Sequence, residues 1–376
     1  MKLKFKKNNT LPPLGIIERF SNEKIFLTII VSIFILSAVF YNQPHIAMWI
    51  GFLTASYATV SNDSIQSLGT FIESNKERKW YIMWLYIGVI FLAVVSFSYF
   101  YFDGDVTYQR LLKPDGTSSY PHPENFSFFM LMAPLVLLIL TRLRMPVSTT
   151  FLMLSVFSSS SEGITSMVSK SVSGYLIAFV VSALIWYYGY NYIRKNFKSR
   201  KVSPSWNVAQ WFVSGLLWAV WVMQDGANIA VFLPRQLSGT QFFLFCAVIF
   251  IGLGLLFKLR GDKIQKVVSE KVRISDVRAA TLIDLSYALI LIYKLFISTV
   301  PMSTTWVFLG LIGGREIAVN LARIKKGKKH KNKAMKMIGK DFLYAAIGLL
   351  ISLLLAASVN PAIKTDLINF LTEFFS

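Results

Sequence analysis

The sequence predicts an all-α polytopic membrane protein with about 10–12 membrane segments in two inverted-topology repeats, some helices being broken or re-entrant. Three observations carry that expectation. Only 15% of the 376 residues are charged and 54% are hydrophobic, whereas soluble domains carry about 25% charged residues. The apolar residues gather into runs of near helix-spanning length, and the mean hydropathy is +0.53. Two polar motifs each occur twice, at similar spacing, among those runs.

A helix crosses the hydrocarbon with about 20 residues at 1.5 Å each. The candidate segments are 25–42, 46–60, 80–102, 127–144, 148–160, 172–193, 206–224, 240–258, 279–299, 304–322 and 341–358. The N-terminus is basic (Lys2, Lys4, Lys6, Lys7) and leads into an apolar stretch from Ile25 to Phe40. No small-residue cleavage site follows it, so an uncleaved first span is expected rather than a signal peptide. The shortness of 148–160 points to a re-entrant helix. Residues 361–376 carry Lys364, Asp366 and Glu373 and are expected to lie on the membrane surface.

Lys and Arg number 39 against 19 Asp and Glu, a net +20. In a soluble chain that excess raises the question of nucleic acid. Here the cations fall in short loops, where they set orientation, so no nucleic-acid partner is expected. The runs Arg194–Lys201, Lys258–Arg273 and Arg323–Lys336 should face the cytoplasm, as should the N-terminus. Anionic-lipid contact by the last run is compatible with this. The loop Asp103–Asn125 then falls outside. Plasma membrane and bacterial inner membrane look alike at this level. A single cysteine, Cys246, excludes an intramolecular disulfide, and His45, His122 and His330 lie too far apart to suggest a metal site.

Two segments place polar residues at membrane depth. Ser61-Asn62-Asp63-Ser64-Ile65-Gln66 runs on to Gly69-Thr70, and Pro146-Val147-Ser148-Thr149-Thr150 follows an apolar helix. Asp225-Gly226-Ala227-Asn228 echoes the first and Pro301-Met302-Ser303-Thr304-Thr305 the second. The copies lie 166 residues apart at Asn62/Asn228 and 155 apart at Ser148/Ser303. A duplicated unit is therefore expected, with halves 1–200 and 201–376. Threading the spans puts the two copies towards opposite sides, which is the inverted repeat many secondary transporters use around a midplane site.

The residue types suit an oxyanion and a cation. Proline suits a helix start, so each Pro-x-Ser-Thr-Thr reads as the N-terminus of a half-helix whose free N–H groups and hydroxyls can hold an anion. That makes Ser148, Thr149, Thr150, Ser303, Thr304 and Thr305 substrate candidates, with Gln66. Asn62, Asp63 and Asn228, with unwound carbonyls, supply the hard oxygens a Na⁺ ion takes, and Gly69 and Gly226 are expected to permit breaks in the chain. A carboxylate at membrane depth, Asp63, is functional by default. Against this, lone Ser and Thr often only bond back to their own helix. Glu162 is expected to be a wet loop end rather than a gate. Asp284 is expected to be a surface acid at a span end rather than a proton carrier.

These residues resemble the inorganic phosphate transporter (PiT) family, with its duplicated Gly-Ala-Asn-Asp-x-Ala-Asn-Ala and Pro-Val-Ser-Thr-Thr-His motifs. The stretch Ser61 to Thr70 resembles the first, with Gln66 in place of the second Asn, and Pro146–Thr150 matches the other, with Phe151 in place of His. In the second half Gly226-Ala227-Asn228 and Pro301–Thr305 agree, with Trp306 in the His position. Gly261–Ile264 and Glu270–Val272 resemble the family's central cytoplasmic loop. The resemblance spans roughly residues 45–355. It implies cation-coupled symport of inorganic phosphate, driven by Na⁺ or H⁺ with no cofactor. Ile229 and Phe232 depart from the pattern where Asp and Asn are expected. Asp225, one turn before Asn228, either compensates or lines the mouth of the site. A sulfate permease or a transport-dead anion sensor of the same fold are the alternatives, and a homodimer is left open. No Ser/His pair, zinc motif or phosphate loop points to an enzyme.

Overall fold

The computed structural model describes residues 23–112, 119–143, 145, 147–197, 202–259, 276–324 and 332–375. Pro146, His330, the Gly261–Val272 stretch and most of the basic runs lie outside the described residues. The described residues fold into twelve helices: α1 (Lys24–Phe40), α2 (Pro44–Ser74), α3 (Trp80–Tyr101), α4 (Phe128–Arg142), α5 (Thr149–Ser155), α6 (Ser161–Phe197), α7 (Pro204–Ala230), α8 (Gly239–Lys258), α9 (Val277–Ile297), α10 (Thr304–Ile324), α11 (Asn332–Val359) and α12 (Pro361–Phe375). This is an all-α polytopic membrane protein.

Among the described residues five helices are long and apolar enough to cross a bilayer, and α1 and α4 are shorter apolar helices. The long helices α2, α7 and α10 fall below that hydropathy because they carry the polar motifs. Large side chains such as Phe296, Phe100 and Phe212 are exposed on the periphery, at 84%, 77% and 70%. That is the pattern of a helical bundle solvated by lipid rather than water.

The helix ends form two faces. On the first, Arg142 Nε donates to Glu23 Oε2 at 2.6 Å and Asn75 Nδ2 to Gln210 Oε1 at 2.9 Å. On the second, Leu237 N donates to Gly104 O at 2.9 Å, Arg235 Nε to Tyr120 O at 2.9 Å and Asn360 Nδ2 to Ser158 O at 3.2 Å. Gly104 turns with φ +92°, and an added Cβ would press on the backbone of Leu237 at 3.1 Å. The helices that flank the three basic runs all meet those runs on the first face.

Two expected breaks are absent. Residues 61–70 lie within a continuous α2, and Gly226 within a continuous α7. The hydroxyl of Ser67 bonds back to its own helix, to Ser64 O at 3.1 Å, so that polar group is satisfied without unwinding the chain. The short segment after α4 does break. α5 spans only seven residues and is followed by an irregular stretch before α6.

The packing has a two-way pattern. α2 packs on α4, α8 and α10, and α7 packs on the corresponding α9, α3 and α5; α2 and α7 also touch each other. Both α2 and α7 start with Pro at the first helical turn. The longest association runs along α6 and α10, where Ser182 Oγ donates to Leu311 O at 2.7 Å.

Candidate functional site

The repeated motifs meet in the middle of the bundle, where α5 starts between α2 and α7. Ser148 and Ser303 do the same work in the two copies. Each is the residue before a helix, and its hydroxyl accepts from a backbone N–H three residues on: Phe151 N at 3.1 Å and Trp306 N at 3.2 Å. The serines thereby fix where α5 and α10 begin and leave the threonines facing inward. Tyr287 Oη donates to Thr304 O at 2.9 Å and Ser303 N to Ser171 Oγ at 2.9 Å, so α9 and α6 both hold the start of α10. Phe151 and Trp306, the two residues in the expected histidine positions, pack edge to face at 5.3 Å. An apolar contact joins the copies there.

Each asparagine uses both amide hydrogens in the same way. Asn62 Nδ2 donates to Asp63 Oδ1 at 2.7 Å and to Thr149 Oγ1 at 3.3 Å. Asn228 Nδ2 donates to Asp225 Oδ1 at 2.8 Å and to Thr150 Oγ1 at 3.2 Å. In each copy an amide thus ties a carboxylate on its own helix to a threonine of α5. The Thr150 hydroxyl can donate to Asp225 Oδ1 at 3.4 Å or Met302 O at 3.3 Å. Gln66 Nε2 reaches Asp63 Oδ1 at 3.4 Å. Thr305 is buried alongside, its hydroxyl 3.5 Å from Val147 O.

Of the two placements open for Asp225, the structure has it inside the cluster. Its side chain is fully buried and bonded to Asn228, while Ile229 is buried among apolar residues. The second copy therefore keeps a carboxylate, moved one helical turn along α7.

What the cluster lacks, among the described residues, is a cationic side chain in contact with it. Asp63 and Asp225 are 1% and 0% exposed, and among the described residues neither has a Lys, Arg or His partner at ion-pair distance. Burying an ionised carboxylate without a partner is costly. Asp63 Oδ2, Asp225 Oδ2, Asn228 Oδ1 and Gln66 Oε1 are buried with no hydrogen-bond donor. These four oxygens are of the hard type that a small cation takes. No group of three or more His, Cys, Asp or Glu side chains that could hold a transition metal occurs among the described residues.

Asp284 corrects its sequence reading. It is 1% exposed, with Thr70 Oγ1 donating to one carboxylate oxygen at 2.5 Å and Ser214 Oγ to the other at 2.6 Å. It ties α9 to α2 and α7, and its neighbours Leu282 and Leu285 gave no sign of that. Replacing Ser214 by Ala leaves one carboxylate oxygen without a donor and should cost about 1–3 kcal/mol, read as a lowered thermal midpoint in detergent. Glu162 is exposed in the first turn of α6, as expected for a wet helix end. Ser171 and Tyr287, which hold the start of α10, had no sequence signal beyond polar residues in apolar runs. Cys246 is buried and unpaired.

On the second face, Arg110 is 3% exposed. Burial lowers its pKa to about 10 and Asp225 offsets part of that, so it stays charged at neutral pH. His122, in the same loop, is held down to about 4 by burial and by Arg235, and so is neutral there.

No protein-family model and no curated protein matches the chain. Among solved structures, a sodium-dependent phosphate transporter shares the fold, with a TM-score of 0.51 and 18% identity over 90% of this chain and 99% of that one.

Proposed function

We propose that the chain is a cation-coupled secondary transporter of inorganic phosphate. The observation that carries this reading is the paired cluster: two buried carboxylates, each tied through an asparagine to a threonine of α5, with four buried oxygens left unpaired. In this reading Asp63, Asp225 and Asn228, with Asn62, bind Na⁺ or, by protonation, H⁺. Bound positive charge relieves the carboxylates and lets an anion bind beside them. The phosphate is held by the hydroxyls of Thr149, Thr150, Thr304 and Thr305 and by the free N–H groups at the start of α10, Gln66 lying at the edge. Ser148 and Ser303 position these groups from behind.

The fold neighbour's description as a sodium-dependent phosphate transporter supports Na⁺ as the coupling ion. The exchange of packing partners between α2 and α7 supports reading residues 1–200 and 201–376 as inverted repeats that move against each other. The basic runs, whose flanking helix ends lie on the first face, support a cytoplasmic assignment for that face and for the N-terminus. Phosphate is favoured over sulfate because two carboxylates are present. Near neutral pH phosphate carries a proton that a carboxylate can accept as a hydrogen bond, whereas sulfate can only accept.

Ligand-induced stabilisation tests this reading. A ligand at 100 times its dissociation constant adds about 2.7 kcal/mol to stability. Na⁺ and phosphate together should raise the thermal midpoint of the detergent-solubilised protein by more than the sum of their separate effects, and sulfate should not replace phosphate. Equal shifts from sulfate would sink the substrate assignment, and strictly additive shifts would sink coupling to Na⁺.

A further inference from the structure

Resting on the reading above, we propose a second oxyanion site on the second face, an antechamber in which Arg110 and Lys170 capture free phosphate before it reaches the threonines. A cavity of about 220 Å³ lies there, lined by Arg110, by the hydroxyl-bearing Ser159, Ser160 and Ser166, and by Thr299 to Pro301. Thr299 to Pro301 form one wall, two residues before Ser303 and the start of α10.

The charges around it are unbalanced. Arg110 is 3% exposed and Lys294 6%, and Lys170 is half-buried between them. None of the three has a carboxylate at ion-pair distance among the described residues. They are held instead by neutral oxygens. Arg110 Nη1 donates to Thr299 O at 3.2 Å and Lys170 Nζ to Ser298 O at 2.7 Å and Val300 O at 2.5 Å, while Lys294 Nζ donates to Ser173 Oγ at 2.6 Å. Among the described residues the acids nearby are Glu162, on the exposed rim of the cavity, and Asp225, which acts on Arg110 from the central cluster.

Three buried or half-buried cations on carbonyls and hydroxyls, beside a hydroxyl-lined cavity, suit a ligand that is anionic and accepts many hydrogen bonds. Charged hydrogen bonds to such an anion are stronger than those to carbonyls, so its arrival draws Arg110 and Lys170 off Thr299 and Val300. That frees the loop in front of Thr304 and Thr305 as the anion advances. A small mobile oxyanion fits better than a lipid headgroup because the cavity ends on Pro301, inside the bundle.

Binding of labelled inorganic phosphate to the full chain in phosphatidylcholine nanodiscs, with and without Na⁺, separates the two sites. The expected result is a Na⁺-independent component that weakens with ionic strength, falls at least 10-fold in Lys170→Gln and Ser166→Asp, and returns in Lys170→Arg. It should persist in Asp63→Asn, which removes only the Na⁺-dependent component. Ser166 is exposed and holds none of the loop's bonds, so its variant decides the matter if Lys170→Gln fails to fold. Absence of the Na⁺-independent component in the wild type, or its survival in Ser166→Asp, overturns the antechamber. So does its displacement by phosphatidylglycerol added to the nanodiscs, which would make this a lipid site. Absence of the Na⁺-dependent component alone in the wild type would overturn Na⁺ as the coupling ion of the function proposed above and leave the antechamber standing.

Discussion

Asp63→Asn is expected to cut cation-driven phosphate uptake at least 100-fold while leaving the protein as stable as the wild type or more so. The two halves of that expectation have one cause. The carboxylate is buried with no cationic side chain at ion-pair distance among the described residues, so as a structural element it is a liability, and neutralising it removes a desolvation cost. Asn62 donates to Oδ1 at 2.7 Å, so the new amide turns its oxygen towards Asn62. Its NH₂ group then takes the place of Oδ2, the buried oxygen with no donor. A donor now stands where a cation ligand is needed, and the charge that attracted the cation is gone. A 100-fold loss corresponds to about 2.7 kcal/mol of transition-state stabilisation, modest for a missing ligand and charge. Asp225→Asn should lose uptake alike, since Asn228 holds it in the same way at 2.8 Å, but not gain stability, because Asp225 also offsets the burial of Arg110. Uptake and thermal midpoint measured on the same preparation check this. A variant that loses both would show that the aspartate is structural.

Gly314→Leu is expected to prevent recovery of folded protein, or to lower the thermal midpoint severely. α6 and α10 lie backbone against backbone. A Cβ at Gly314 would collide with the carbonyl of Phe179, and one at Gly310 would lie 3.1 Å from Ala178 Cβ and 3.2 Å from Phe179 N. Overpacking against movable side chains typically costs about 1–3 kcal/mol. Here the obstacle is main chain, and relief requires the helices to part along their length. Their separation would also displace the first turn of α10, which carries Thr304 and Thr305. Monodispersity on size exclusion and the melting midpoint are the readouts. A leucine variant that melts like the wild type would show that the two helices are not in backbone contact.

The sequence made some of this legible and hid the rest for physical reasons. Duplication exposed the motifs, because two Pro-x-Ser-Thr-Thr runs and two Asn-bearing segments at similar spacing are hard to produce by packing needs alone. The helix starts were also readable: nine of the eleven expected segments start within two residues of the observed helices. The continuity of α2 and α7 was not readable. Polar residues at 61–70 lower the hydropathy as a loop would, but they bond back to their own helix or to Thr149 and Asp284 on other helices, and that compensation is invisible in one dimension. Asp284 was misread for the same reason, since its partners Thr70 and Ser214 lie 214 and 70 residues away. Gly310-x-x-x-Gly314 was a usable sign of close helix packing that the motif search passed over. Arg110 and Lys170 gave no sign, because their common partners are the backbone carbonyls of a loop.

In the proposed function Asp225, displaced one turn from the expected position, completes a paired carboxylate site that couples a cation to phosphate. Labelled phosphate uptake into proteoliposomes, by wild type and Asp225→Asn side by side, with and without an inward Na⁺ or H⁺ gradient, tests it most directly. The expected result is uptake that depends on one of the gradients in the wild type and is lost in the variant. Wild-type uptake indifferent to both gradients, or undiminished gradient-driven uptake by Asp225→Asn, would contradict it.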